Sequence, residues 1–196
     1  DVRVHLNRST GAVQVMPAAR IAPGRGGRGR RVHVIGGGGS GEELMRRLVL
    51  CDFRISCGVV NDGDIDAETA DILGIDTVRE KSFAPVSQEN IRAATSMLQR
   101  AEAVVVAPVA FGPGNVDNLE LAEEALAAGK RVFFLPVRGK RDFTRDGEAT
   151  ARIENLLSRG AVEARTLADV VDRLLDEPGC QDETSTRSRA EGPVSG

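Results

Sequence analysis

At 196 residues, with 41% hydrophobic and 28% charged side chains, the chain suits one globular domain with flexible ends. No apolar run approaches the ~20 residues of a membrane-crossing helix, and no secretory signal opens the sequence at Asp1-Val2-Arg3-Val4-His5, so a soluble, cytoplasmic protein is expected. Cys51, Cys57 and Cys180 lack C-x-x-C spacing, which argues against a disulfide framework, a zinc ribbon or a metal site, while the absence of Trp and Tyr removes the usual stacking platforms for nucleic acid.

The net charge of −3 conceals an asymmetry, because residues 1–31 hold seven arginines against Asp1 and the remainder is acidic. Residues 1–17 alternate Val2, Val4 and Leu6, turn at Ser9-Thr10-Gly11, and alternate again at Val13 and Val15, which predicts a β-hairpin. Residues 18–31 are rich in glycine and arginine and read as a tether, not a nucleic-acid arm. Val32-His33-Val34-Ile35 predicts a buried parallel strand, and Glu42 to Leu50 a helix with Leu44, Met45 and Leu48 inward.

Five further strand–helix steps follow. Phe53 to Val60 predicts a strand, and Asp64 or Asp66 caps a helix that Gly74 ends near Leu73. Ile75 to Glu80 is a short strand; Ser87 then caps a helix to Ala101 with Ile91, Ala94, Met97 and Leu98 on one face. Ala103 to Ala107 is apolar throughout and suits a central strand, followed by the loop 108–115 and a helix from about Val116 to Ala128. A strand at Val132 to Leu135, a basic loop at 136–147, a helix from Ala149 to Leu157, a short strand at 161–163 and a last helix from Leu167 to Leu175 complete the domain, with a polar tail at 176–196. The sum is an α/β, Rossmann-like, doubly wound, mainly parallel sheet of five to six strands over residues 32–175, with helices on both faces.

The organising stretch is Gly36-Gly37-Gly38-Gly39-Ser40-Gly41, in which Gly36, Gly38 and Gly41 have G-x-G-x-x-G spacing between a strand and a helix. Glycines allow the turn and close backbone approach, and free N–H groups at the helix start favour phosphate. Asp62, 21 residues beyond Gly41, is placed to bind a ribose hydroxyl. Glu42 and Glu43 oppose an arriving anion, and with no Lys-Ser or Lys-Thr after Gly41 the loop is not a triphosphatase loop. In a doubly wound sheet the loop at 108–115 faces this one across the switch point, adding Gly112, Gly114 and Asn115, while Arg138 rises from the same edge. A nucleotide, whether ATP, ADP, AMP or NAD(P), is the expected ligand.

The series from Val34 to Leu44, Gly58-Val59-Val60-Asn61-Asp62-Gly63-Asp64, and Val105 to Glu120 resembles the carboxy-terminal extension of ABC-importer ATPases of the cobalamin, haem and iron-siderophore uptake class. Residues 1–17 resemble the end of the ATPase cassette before that extension, so the chain reads as a piece of a longer protein. The resemblance implies partners: a dimeric ATPase cassette and, through it, a membrane permease at whose inner face the domain would sit, with a homodimer as an alternative. Neither a Walker lysine nor a cassette signature is present. A nucleotide-binding accessory domain is therefore expected. The alternative is a free-standing enzyme, either an NAD(P)-dependent oxidoreductase or a lysine-decarboxylase-like phosphoribohydrolase, with Glu120 as its candidate carboxylate.

Overall fold

The computed structural model describes residues 2–6, 13–17, 26–60, 63–80, 87–107, 114–135 and 147–176. Two strands, β1 (Val2–Leu6) and β2 (Val13–Pro17), pair antiparallel from Val2 opposite Pro17 to Leu6 opposite Val13, forming the expected hairpin.

The main sheet is built from β3 (Arg31–Ile35), β4 (Arg54–Val60), β5 (Asp76–Arg79), β6 (Ala103–Val106), β7 (Arg131–Phe134) and β8 (Val162–Glu163). Its order is β5-β4-β3-β6-β7-β8 and every pairing is parallel. The order therefore reverses between β3 and β6, where a doubly wound sheet opens its crevice. Both strands are central; β6 is apolar throughout and β3 is apolar but for Arg31 and the buried His33, as suits strands covered on two faces.

Among the described residues six helices cover the sheet: α1 (Gly39–Leu50), α2 (Ala67–Leu73), α3 (Gln88–Arg100), α4 (Gly114–Ala127), α5 (Gly147–Ser158) and α6 (Leu167–Leu175). One core joins Leu44, Met45 and Leu48 of α1, Leu73 of α2 and Val170 and Leu174 of α6 to Val32, Val34, Val105 and Phe133 of the sheet. The other joins Leu98 of α3, Leu119 of α4 and Leu156 of α5 to Ile35, Val104, Val106 and Phe134. Alternate residues of each strand thus feed opposite cores. Each fully buried Leu, Val or Phe contributes ~1.5–3 kcal/mol.

Helix limits follow local chemistry. Asp66 accepts the Thr69 amide at 2.8 Å and starts α2, which ends at the left-handed Gly74. Ser87 accepts the Asn90 amide and starts α3, as its sequence predicts. The predicted inward face of α3 is not all inward, since Leu98 is buried and Ile91 is 41% exposed. Ala94 passes over Gly58, and the surface beneath is polar His33 and Ser56, so little of the helix meets apolar partners.

The folded unit begins ahead of Val32. Gly27 N–H donates to Cys51 O at 2.6 Å and Gly29 N–H to Asp52 O at 2.8 Å, which docks residues 26–30 beside the end of α1. Arg30 stacks over the Phe53 ring at 5.1 Å and donates through Nη2 to the Leu174 carbonyl at 2.5 Å. The last residues of the predicted tether are therefore part of the domain.

Candidate functional site

The glycine run does three different jobs. Gly36 leaves β3 with φ 98°, a conformation that suits glycine, and turns the chain back toward the sheet edge. Gly38 is the N-cap of α1 and has no side chain to satisfy the first turn. A Cβ on Gly41 would lie 1.9 Å from Gly36 O, so only glycine lets α1 start this close to β3. The helix begins at Gly39, three residues before the predicted Glu42, and takes Gly39, Ser40 and Gly41 into its first turn.

Glu42 and Glu43, expected to oppose an arriving anion, come after the first three residues of α1 and are paired along the helix. Glu42 accepts from Arg46 at 2.6 Å and Glu43 from Arg47 at 2.7 Å, each one turn along the helix. Their charge is balanced within α1. Among the described residues the amides of Gly39, Ser40 and Gly41 have no acceptor, and Glu42 N–H is the first to bond, to Gly38 O at 2.9 Å. Free donors and the helix dipole converge at one point.

Two neighbours complete this edge. The turn after β4 is tied to the loop by Ile65 N–H donating to Gly37 O at 3.0 Å. It brings Asp64 against Gly37 and Gly38, with Oδ1 3.7 Å from where a Gly38 Cβ would sit. Of the two aspartates the sequence offered as the cap of α2, Asp66 is the one that caps, through Thr69, and Asp64 lies against the glycine loop instead. Asp64 also adds to burial in pushing the Cys57 thiol up to about 12, burial being the larger cause, so that thiol is inert.

On the other side of the switch point, β6 lies directly beside β3, and α4 starts at Gly114. Gly114 and Asn115 thus belong to a helix's first turn, two residues ahead of the expected start. Asp62, Gly112 and Arg138 lie outside the described residues. Glu120, the candidate for catalysis, pairs with Arg152 of α5 at 3.1 Å on the outer side of the helix pair. An exposed interhelical ion pair accounts for it.

Residues 55–171 match the MJ0874 family. The chain belongs to that family. The family's protein MJ0874 from Methanocaldococcus jannaschii is 29% identical over 76 residues, which cover 39% of this chain and 82% of that protein. The cobalamin import ATP-binding protein BtuD of Halobacterium salinarum is 35% identical over 130 residues, 65% of this chain. The match spans 32% of the BtuD length. Solved structures similar to this MJ0874-family chain include DNA processing protein A from Helicobacter pylori, at 17% identity and a TM-score of 0.45, covering 75% of this chain and 80% of that one. A short-chain dehydrogenase/reductase of Serratia marcescens is similar at 15% identity and a TM-score of 0.42, covering 69% and 71%. Among the described residues, no helix is long and apolar enough to cross a membrane.

Proposed function

We propose that residues 26–176 form a nucleotide- or phosphate-ligand-binding accessory domain of an ABC-type ATP-binding protein that serves import of cobalamin or an iron complex. The observation that carries the binding half is the uncapped first turn of α1, where the Gly39, Ser40 and Gly41 amides point free donors to the switch point. In this reading those amides hold a phosphate, and the amide of Gly114 approaches it from α4. Asp64 borders the loop at Gly37 and Gly38 and forms the acidic side of the site. Asp62, Gly112, Asn115 and Arg138 remain proposed contributors.

The accessory half rests on similarity to part of BtuD. A cassette and permease are then the partners, and the domain works at the inner face of a membrane. The role in this reading is ligand sensing; Glu120, the candidate carboxylate of the enzyme alternative, is paired with Arg152.

Calorimetry of the full chain with ATP, ADP, AMP, NAD, NADP and a corrinoid tests the proposal. One nucleotide should bind and be lost in Gly39→Glu, which places a carboxylate in the open space before the helix. Silence from all of them would sink it.

A further inference from the structure

A second feature lies at the opposite, amino edge of the sheet, independent of the glycine loop. Arg31 and Arg54 are register partners on adjacent parallel strands, so their side chains stand next to each other on the α3 face. Arg100, in the last turn of α3, joins them around a cleft of about 300 Å³ that Ser56, Asp76 and Met97 also line. Like charges side by side repel, and the two carboxylates at this edge, Asp76 in the lining and Glu102 on the Arg31 amide, are not paired with them. Among the described residues none of the three guanidinium groups is in an ion pair.

Arg100 stands in the last turn of α3, where its charge complements the helix dipole. The carbonyls of Gln99 and of the C-cap residue Ala101 are both taken by Lys130 Nζ at 2.7 Å, so the Arg100 guanidinium is not needed to cap them. Glu102, the nearest acid in sequence, accepts the Arg31 backbone N–H at 3.2 Å and not its side chain. Three cations have converged on one concavity.

We propose that this cleft is a ligand site for a small, soluble phosphate monoester carrying hydroxyl groups. Guanidinium forks match phosphate oxygens, and a dianion between Arg31 and Arg54 removes their mutual repulsion. Among the described residues the Asp76 carboxylate has no hydrogen-bond or ion-pair partner; it would repel a bare polyanion, but it suits a hydroxyl on the same molecule. Ser56 is held from behind by His33, whose Nδ1 shares a 2.8 Å hydrogen bond with Ser56 Oγ. When the ring donates, the Ser56 hydroxyl proton is left for a ligand oxygen. Met97 forms an apolar wall for the carbon skeleton.

The test is calorimetry and thermal unfolding of the full chain with glucose 6-phosphate, inorganic phosphate and glucose, and co-sedimentation with phosphatidylglycerol vesicles. Glucose 6-phosphate should bind more tightly than phosphate, and glucose not at all. Arg54→Gln and Arg100→Gln should each weaken it by about tenfold or more, the scale of one charge-assisted hydrogen bond. Both variants should melt no lower than wild type without ligand, since each removes a repelling charge. Gly39→Glu should bind glucose 6-phosphate normally, which separates this site from the nucleotide proposal. Absence of binding, binding untouched by both arginine variants, loss in Gly39→Glu, or capture by vesicles without binding of the soluble phosphate would each overturn it.

Discussion

The carbonyl oxygen of Gly36 lies 1.9 Å from the point that a Cβ on Gly41 would occupy. The clash is with backbone, so no side-chain rotation relieves it. Gly41→Ala should force α1 away from β3 and destabilise the domain at or above the top of the ~1–3 kcal/mol range for overpacking. A urea titration read by circular dichroism measures this, and a variant as stable as wild type would mean that α1 starts elsewhere.

Two residues earlier the same substitution should have the opposite sign. A Cβ on Gly39 meets nothing within 4 Å, and the residue is helical. Gly39→Ala should therefore stabilise by about 0.4–1 kcal/mol, chiefly by restricting the unfolded chain. Gly39→Glu should gain further from the helix dipole while losing the anion. Opposite shifts of the urea midpoint for positions 39 and 41 are the expected signature.

Asp66 tests the cap of α2. Its carboxyl is held below the ordinary range chiefly by hydrogen bonds from the Thr69 side chain and amide. A depressed carboxylate contributes stability that is present above its unfolded value near ~3.9 and lost as pH falls through the lower folded value. Asp66→Ala should cost about 1 kcal/mol at pH 7, with the gap to wild type closing in acid. Asp66→Asn should keep most of the cap at neutral pH. A gap independent of pH would refute the ionised-cap account.

His33 sets a second, higher pH window. It is 2% exposed, and burial lowers its value from 6.5 to about 4. The unfolded chain therefore binds a proton between those values while the folded chain does not. Stability should fall as pH drops from about 6.5 toward 4, by at most ~1.4 kcal/mol per unit from this group. His33→Gln should flatten the slope between pH 7 and 5 in urea midpoints. An unchanged slope would assign the acid sensitivity to another group.

The sheet was legible because its signals are local: an apolar run, a glycine or capping residue, and an amphipathic helix, repeated until the order reverses between β3 and β6. Residues 31–35 and 103–106 could be paired from topology alone. Helix starts were less legible, since glycine at positions 39 and 114 disfavours helix by propensity and is helical here by tertiary constraint. The exposure of Ile91 was hidden for a different reason: periodicity reports a face, not whether apolar partners await it. Asp64 emerged only once Asp66 was seen to cap. The arginine cleft had no sequence signature, because Arg31, Arg54 and Arg100 are far apart in the chain and meet through strand register and the end of a crossover helix.

The docked segment at 26–30 has a mechanical consequence. Its backbone is stitched to Cys51 and Asp52, Arg30 grips the Leu174 carbonyl, and a Cβ on Gly27 would fall 2.5 Å from the Phe53 ring. Tension arriving through the preceding chain is thus divided between the end of α1 and the end of α6 before it reaches β3. Any torque passed from a neighbouring domain would swing the whole sheet as one lever instead of peeling its first strand.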